Sequence, residues 1–268
     1  MPVCYAHSTE RLFGATHAAM LPPPDGFLTM LTFFQTWNFL TLALLFSLPG
    51  ALIYLLRSDL RTVIARVVPF ALPFAFTEFL FYPAYWEPVF LFGLGSRIGF
   101  GIEDFLFVAG LAAFSSTVYA ACRNRTYAPC SIVTARACAD RALLLFALAG
   151  ALLACMLAAG IAVIYAACLA MLAAGLAASA WRRDLAAAAC IGAVLAAAVY
   201  FAVCLLAGLI MPGIFQTVWH TEKFLGVFVA GVPLEELAYA GAAGFAATVF
   251  YPYVFGLRFV RRKIERHA

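Results

Sequence analysis

Seven long apolar runs dominate the sequence, and the segments that separate them are alternately rich and poor in arginine. Each run approaches or exceeds the roughly 20 residues that a helix needs to cross a membrane, and none alternates like a strand of a membrane β-barrel. The pattern therefore predicts an all-α membrane protein with seven transmembrane helices. The predicted spans are 33–56, 67–85, 102–122, 141–158, 161–180, 186–210 and 233–256, with a tight turn near Ala159 and Gly160 between the fourth and the fifth.

The basic residues are distributed unevenly between the two sides of this predicted bundle. With seven spans, all but three of the 17 Lys and Arg residues fall on one side of the membrane. Cytoplasmic loops are enriched in Lys and Arg, so the C-terminus is predicted to be cytoplasmic and the N-terminus outside. The three residues on the other side are Arg11, Arg97 and Lys223.

A pair of adjacent carboxylates occurs twice, at the start of the third span and at the start of the seventh. Because these spans are four apart, they run in the same direction, which predicts two parallel three-helix repeats joined by a connector helix. The predicted divisions are a polar N-terminal tail (1–32), a first repeat with spans 1–3 (33–122), a connector with span 4 (123–160), a second repeat with spans 5–7 (161–256) and a basic cytoplasmic tail (257–268).

The two acid pairs, Glu103 with Asp104 and Glu235 with Glu236, suggest proton chemistry. Charged side chains are costly in a membrane, so acids there usually serve a function. Neighbouring helical residues point about 100° apart, so one member of each pair can face the centre between the repeats. We expect a protonated carboxyl beside an ionised one, which gives a general acid next to a general base.

Further candidates surround these acids. Glu78 is an acid within the second span, an indole precedes each acid pair, and an aromatic ring lies four residues after the first acid of each pair, on the same helix face. These aromatic residues are Trp86, Phe107, Trp219 and Tyr239.

Composition narrows the chemistry. The chain is 66% hydrophobic and 11% charged, and its net charge of +4 comes from residues between the apolar runs. That distribution is a topology signal, so no nucleic-acid partner is expected. The eight Cys and four His residues show no metal-ligand spacing, and no GxGxxG follows a strand. Neither a metal nor another cofactor is therefore expected.

The acid motifs resemble those of the integral-membrane lycopene cyclases. That family has tandem domains, each with Pro-x-Glu-(Glu/Asp) at a helix start followed by Phe-rich sequence. The matching segments here are Gly101-Ile102-Glu103-Asp104-Phe105-Leu106-Phe107 and Pro233-Leu234-Glu235-Glu236-Leu237. Two departures are Gly101 in the place of the proline and Leu237-Ala238-Tyr239 in the place of the Phe-rich run.

The resemblance implies an isomerase of the lycopene β-cyclase type (an intramolecular lyase), which closes a ring at the end of a linear carotene by acid catalysis and without a redox change. It implies catalytic roles for both acid pairs, and we expect Glu103 and Glu235 to face inward as acids, with Asp104 and Glu236 as bases or electrostatic partners. The residues expected to contact substrate are Glu78, Trp86, Phe107, Trp219 and Tyr239.

The resemblance also implies a lipophilic carotenoid substrate and a place in the lipid bilayer, expected to be the bacterial inner (cell) membrane. A homo-oligomer and complexes with other carotenoid-pathway enzymes stay open as partners. Two functional alternatives also stay open: a carotenoid hydratase and a non-catalytic carotenoid- or lipid-binding protein. An intramembrane CAAX-type protease is disfavoured by Ala240, where an Arg is expected, and a retinal photoreceptor by the absence of a lysine within the spans.

Overall fold

The computed structural model describes residues 32–262. Within that range, seven helices are long and apolar enough to cross a membrane, which confirms the predicted helical membrane fold. The predicted turn between spans 4 and 5 is present, with Gly160 at a φ of +79°. The spans, numbered 1 to 7 below, are Asn38–Leu56, Ser58–Phe81, Ile102–Cys122, Ala135–Ala158, Val163–Trp181, Arg183–Ile210 and Leu234–Val254.

Span 2 is the least regular and begins before the predicted residue 67. An α-helix over Arg61–Ala71 leads into a 3₁₀ segment, Leu72–Thr77, and then a last α-turn, Glu78–Phe81. Pro73 lies in the 3₁₀ segment and has no N–H to continue the α-helical hydrogen bonds. The change of helix type places Glu78 in a short turn of its own, where its side chain is buried.

Span 4 also begins earlier than the predicted residue 141. The Thr134 hydroxyl accepts a hydrogen bond from the Ala137 N–H (3.2 Å), so the helix starts in the polar segment ahead of the apolar run. Thr134 is thus the N-cap of span 4, and because it is polar, the pattern of apolar residues does not reveal it.

Glycines allow the central helices to approach closely. A Cβ at Gly110 of span 3 would lie 2.7 Å from the Cα of Ser47 in span 1, and one at Gly244 of span 7 would lie 2.3 Å from the Cβ of Ala196 in span 6. Such contacts between small residues are a common basis of helix packing in membranes. Span 7 also packs against spans 5 and 3, so spans 3 and 7 meet near the centre.

Short elements connect the spans. The strand after span 3, β1 (Arg125–Pro129), pairs antiparallel with β4 (Leu257–Arg261) after span 7, with Tyr127 opposite Phe259. Residues 257–261, predicted as part of a basic tail, are therefore a strand; the remainder of that tail from residue 263 and the polar tail through residue 31 lie outside the described residues. Spans 2 and 6 each begin with a 3₁₀ turn, Ser58–Leu60 and Arg183–Leu185. The other connecting elements are Leu91–Gly93 and Thr221–Lys223 (3₁₀), Leu94–Ile98 and Ile214–Thr217 (α), and the paired strands β2 (Phe228–Val229) and β3 (Val232–Pro233).

Similar contacts occur in the two halves of the chain at one end of the bundle, and a direct bridge joins the halves at the other. At the end with β1 and β4, Arg57 bonds Asp59 and Arg182 bonds Asp184, each across the first turn of the following span. At the opposite end, Trp86 and Trp219 form an antiparallel bridge, with the Tyr85 carbonyl accepting from the His220 N–H at 3.0 Å. This bridge connects the loop after span 2 to the loop after span 6.

Candidate active site

A small cavity of about 70 Å³ lies where the starts of spans 3 and 7 meet the end of span 2. We call it the acid cavity, because three carboxyl groups line it: Glu78, Asp104 and Glu236. All five residues predicted to contact substrate are in its wall. The remaining lining is mostly aromatic or aliphatic and includes Leu42, Phe46, Phe81, Tyr85, Ile164 and Tyr200.

The carboxyl groups of the acid cavity are removed from solvent. Glu78 is 8% exposed, Asp104 3% and Glu236 4%. Buried carboxyl groups need hydrogen-bond partners, and the two sides of the cavity supply different ones.

On the first side, two carboxyl groups face each other. Glu78 and Asp104 lie close enough to share a hydrogen bond, and the Trp86 indole N–H donates to Glu78 Oε1 at 2.6 Å. The Gly101 N–H donates to Asp104 Oδ2 at 2.6 Å, as in a capping box at the start of span 3. Because a carboxylate has no hydrogen to donate, a hydrogen bond between the two carboxyl groups requires one proton on the pair.

On the second side, Glu236 is surrounded by donors. The Tyr85 hydroxyl donates to its Oε1 at 2.5 Å, the Trp219 indole N–H to the same oxygen at 2.8 Å, and the Tyr200 hydroxyl to Oε2 at 2.5 Å. Burial, together with the adjacent Glu236 carboxylate, raises the pKa of Tyr85 well above its usual value. Tyr85 therefore keeps its proton, and stays a donor, at neutral pH.

The other member of each acid pair faces a loop. Glu103 Oε1 accepts from the Leu91 N–H at 2.5 Å, and Glu235 Oε1 accepts from the Leu225 N–H at 3.0 Å and the Tyr165 hydroxyl at 2.9 Å. Neither residue lines the acid cavity. The expected inward direction of Glu103 and Glu235 is thus corrected: the loop ahead of each span offers an N–H to the first acid, and the second, about 100° further round the helix, turns inward.

Gly101 has a local reason for being glycine. Its φ is −135°, outside the range near −65° that a proline ring allows. A Cβ there would lie 2.5 Å from Glu103 Oε2 and 2.7 Å from Phe90 Cδ1. A proline would also lack the N–H that holds Asp104. Glycine in the place of the motif's proline therefore fits the backbone at residue 101 and also supplies the N–H that holds Asp104.

Aromatic rings close the rest of the acid cavity. The Trp86 and Trp219 rings are 5.1 Å apart between centroids, and Phe46 lies 4.4 Å from Tyr200 and 5.1 Å from Phe107. Sequence reasoning did not select Tyr85, Tyr200 or Phe46. A signal for Tyr200 was present, since a phenol in an otherwise Ala-rich span needs a polar partner there.

Within residues 32–262, no group of three His, Cys, Asp or Glu side chains is placed to hold a metal ion. The carboxyl groups of the acid cavity are engaged instead with each other and with N–H and O–H donors of the protein. The arrangement can give a proton on one side, accept one on the other, and surround a positive charge with π faces.

Comparison with known families gives one match. Residues 162–254 match a family model described as lycopene cyclase. The match covers spans 5 to 7 and includes Glu235 and Glu236. No curated protein and no solved structure matches the chain.

Proposed function

With spans 5 to 7 matching the lycopene cyclase family, we propose that this membrane protein closes a six-membered ring at the end of a linear carotene, without a net redox change. The observation that carries the proposal is the acid cavity itself. A carboxyl pair and a separate carboxyl group that accepts three hydrogen bonds face one space lined with aromatic rings. That is the set of groups that cyclisation through a carbocation requires.

The chemistry balances within one molecule. A proton added to the terminal double bond of the end group leaves a tertiary cation. The electron pair of an internal double bond attacks that cation and forms the ring bond, which moves the positive charge to a ring carbon. Loss of a neighbouring proton restores a double bond, so the product is an isomer of the substrate.

Glu78 and Asp104 supply the proton in this proposal. The proton that the two carboxyl groups share is the most acidic one in the cavity, because the other donors there are phenols and indoles. Asp104 is fixed by the Gly101 N–H and Glu78 by the Trp86 indole. Protonation of an alkene is demanding, and a buried carboxylic acid with no water to compete is suited to it.

Glu236 balances the positive charge and takes the proton back. Its three donors fix it across the cavity from the carboxyl pair. The hydroxyls of Tyr85 and Tyr200 can rotate from donor to acceptor as Glu236 receives a proton. Proton release and proton uptake then occur on opposite sides of the substrate end group.

The aromatic wall protects the cation. Five aromatic side chains in the cavity wall can offer π faces to a positive charge: Trp86, Trp219, Phe46, Phe107 and Tyr239. They also leave little room for water. Exclusion of water matters because water would trap the cation as an alcohol. Glu103 and Glu235 act as positioning residues in this proposal, since each holds the loop ahead of its span.

The test is expression in cells that accumulate lycopene, followed by chromatography and mass spectrometry of the pigments. We expect a cyclic product with the mass of the substrate. A product heavier by one water would indicate a hydratase. Lycopene that is bound and unchanged, with the protein present in the membrane, would contradict catalysis and indicate a carotenoid-binding protein.

A further inference from the structure

A second, larger cleft of about 370 Å³ lies between spans 2, 3, 4, 5 and 7, and we call it the long cleft. It continues from the acid cavity, because five residues line both spaces: Phe74, Thr77, Phe81, Val108 and Tyr239. A ligand whose end occupies the acid cavity therefore has a space prepared for the remainder of its length.

The long cleft extends well into the membrane. Its wall on span 2 runs from Phe81 back to Val67, which is about 20 Å at the rise of a helix. That is roughly two-thirds of the ~30 Å hydrocarbon core. The cleft thus accommodates an extended chain lying along the helices.

The lining fits an apolar, flat ligand. Every side chain recorded in the wall of the long cleft is uncharged. On one side, Phe146 stacks on Phe250 at 5.4 Å between centroids and meets the edge of Phe74 at 5.3 Å, so three rings in contact line the cleft. On the other, small residues of span 3, among them Ser115 and Ser116, keep the space open.

Those two serines are unusual for buried residues. Each is 1% exposed, and neither hydroxyl has a hydrogen-bond partner among the described residues. A buried hydroxyl without a partner is a cost to the folded protein. Because both hydroxyl oxygens are inaccessible, however, they present no polar atom to a ligand, and this part of the wall of the long cleft is effectively apolar.

We propose that the long cleft binds the polyene chain of a linear carotene, along the membrane normal, while one end group of that molecule occupies the acid cavity. The inference rests on the proposed function for the identity of its ligand. It adds where the chain lies, and it means that the two ends of a symmetrical carotene are processed in separate binding events.

Gly150 of span 4 provides the test. It lines the long cleft, and a Cβ added there meets no atom within 4 Å. Gly150→Phe therefore places a ring where the chain should lie without a backbone clash. Ala151→Phe is the matched control. Ala151 is the next residue on the same helix, is exposed, and does not line the long cleft.

Binding is measured separately from catalysis. Both variants are made in the wild-type protein and in an Asp104→Asn background, which should leave lycopene unchanged. They are expressed in lycopene-accumulating cells and purified in detergent, and the readout is the ratio of bound lycopene to protein by absorbance. We expect Gly150→Phe to lower this ratio about tenfold in the Asp104→Asn background, as an overfilled site should, and Ala151→Phe to leave it unchanged.

The outcomes separate the two proposals. A lowered ratio in Gly150→Phe supports the cleft even if the wild-type protein forms no ring, in which case only the proposed function fails. Equal ratios of bound lycopene in Gly150→Phe and Ala151→Phe would overturn the cleft proposal. So would the absence of bound lycopene from an Asp104→Asn protein whose size-exclusion profile matches the wild type. A Gly150→Phe protein that elutes as an aggregate is replaced by Gly150→Leu, to which the same criteria apply.

Discussion

The first acids of the two pairs have similar hydrogen-bond partners, whereas the second acids have different ones. In both, the first acid accepts an N–H from the preceding loop and the second faces the acid cavity. Asp104, however, meets the carboxyl group of Glu78, whereas Glu236 meets two phenols and an indole. The second acids of the two pairs thus have different partners, and in the proposed function this difference separates proton release from proton uptake.

The residue before each span accounts for part of this difference. Gly101 has an N–H and uses it to hold Asp104. Pro233 stands at the N-cap of span 7 and has no N–H to offer. Glu236 therefore receives no bond from its own cap, and side chains from the loop after span 2, from span 6 and from the loop after it bind it instead.

The largest effects are expected from the two inward acids. Asp104→Asn and Glu236→Gln should each lower turnover about 10²–10⁴-fold, the usual range for a lost general acid or base. The products should differ, however. Asp104→Asn blocks the first protonation and should return unchanged substrate. Glu236→Gln permits it and should raise the share of products with a displaced double bond or an added water.

Quantitative pigment analysis by chromatography and mass spectrometry checks this prediction. Glu222→Gln is the control, because that carboxylate is exposed in the loop ahead of span 7. Identical product patterns from Asp104→Asn and Glu236→Gln would contradict the division of roles between the two sides.

A smaller effect is expected when Gly101, the N-cap of span 3, is replaced by the proline found at the N-cap of span 7. Gly101→Pro removes the N–H that holds Asp104, and loss of a hydrogen bond to a charged group costs about 1.5–3 kcal/mol. Turnover should therefore fall about 10–100-fold. The reverse change, Pro233→Gly, should leave most of the turnover, since Glu236 has three donors elsewhere. Initial rates in membranes with equal protein content measure both, and wild-type rates for Gly101→Pro would refute the role of the cap.

The smallest effect concerns Tyr85 and appears in stability at high pH. The pKa of Tyr85 is raised in the folded protein by burial and by the Glu236 carboxylate. Its contribution to stability is present below pH 10.0, the ordinary tyrosine value, and is lost as the pH rises above it. There, the wild-type free energy of unfolding should fall faster than that of Tyr85→Phe, by up to about 1.4 kcal/mol per pH unit.

Chemical unfolding in detergent micelles between pH 8 and 11 measures both slopes. Below the titration range, the wild-type and Tyr85→Phe curves should run parallel, because Tyr85 is then protonated in the folded and the unfolded chain. Parallel curves at every pH would show that Tyr85 is not held in its neutral form by the site.

The apolar pattern was sufficient for the seven spans because hydrocarbon length restricts what such runs can form. It also located both acid pairs and the neighbours of the acid cavity. It did not predict which acid of each pair points into the cavity. The side chains of Glu103 and Glu235 point toward loops because backbone N–H groups there bind them, and those loops have no periodic apolar pattern. Tyr200 was missed because its partner lies 36 residues further along the chain, and the division into two repeats remains a prediction.

The contacts at the two ends of the bundle bear on how a ligand enters and leaves the protein. The β1–β4 ribbon joins the two halves at one end, and the Trp86–Trp219 bridge joins them at the other. If the proposed function holds, we therefore expect the carotene to enter the long cleft from the lipid and not through either end of the bundle. Span 4, of which little is buried by the rest of the protein, is the expected point of entry, and the product should return to the lipid the same way.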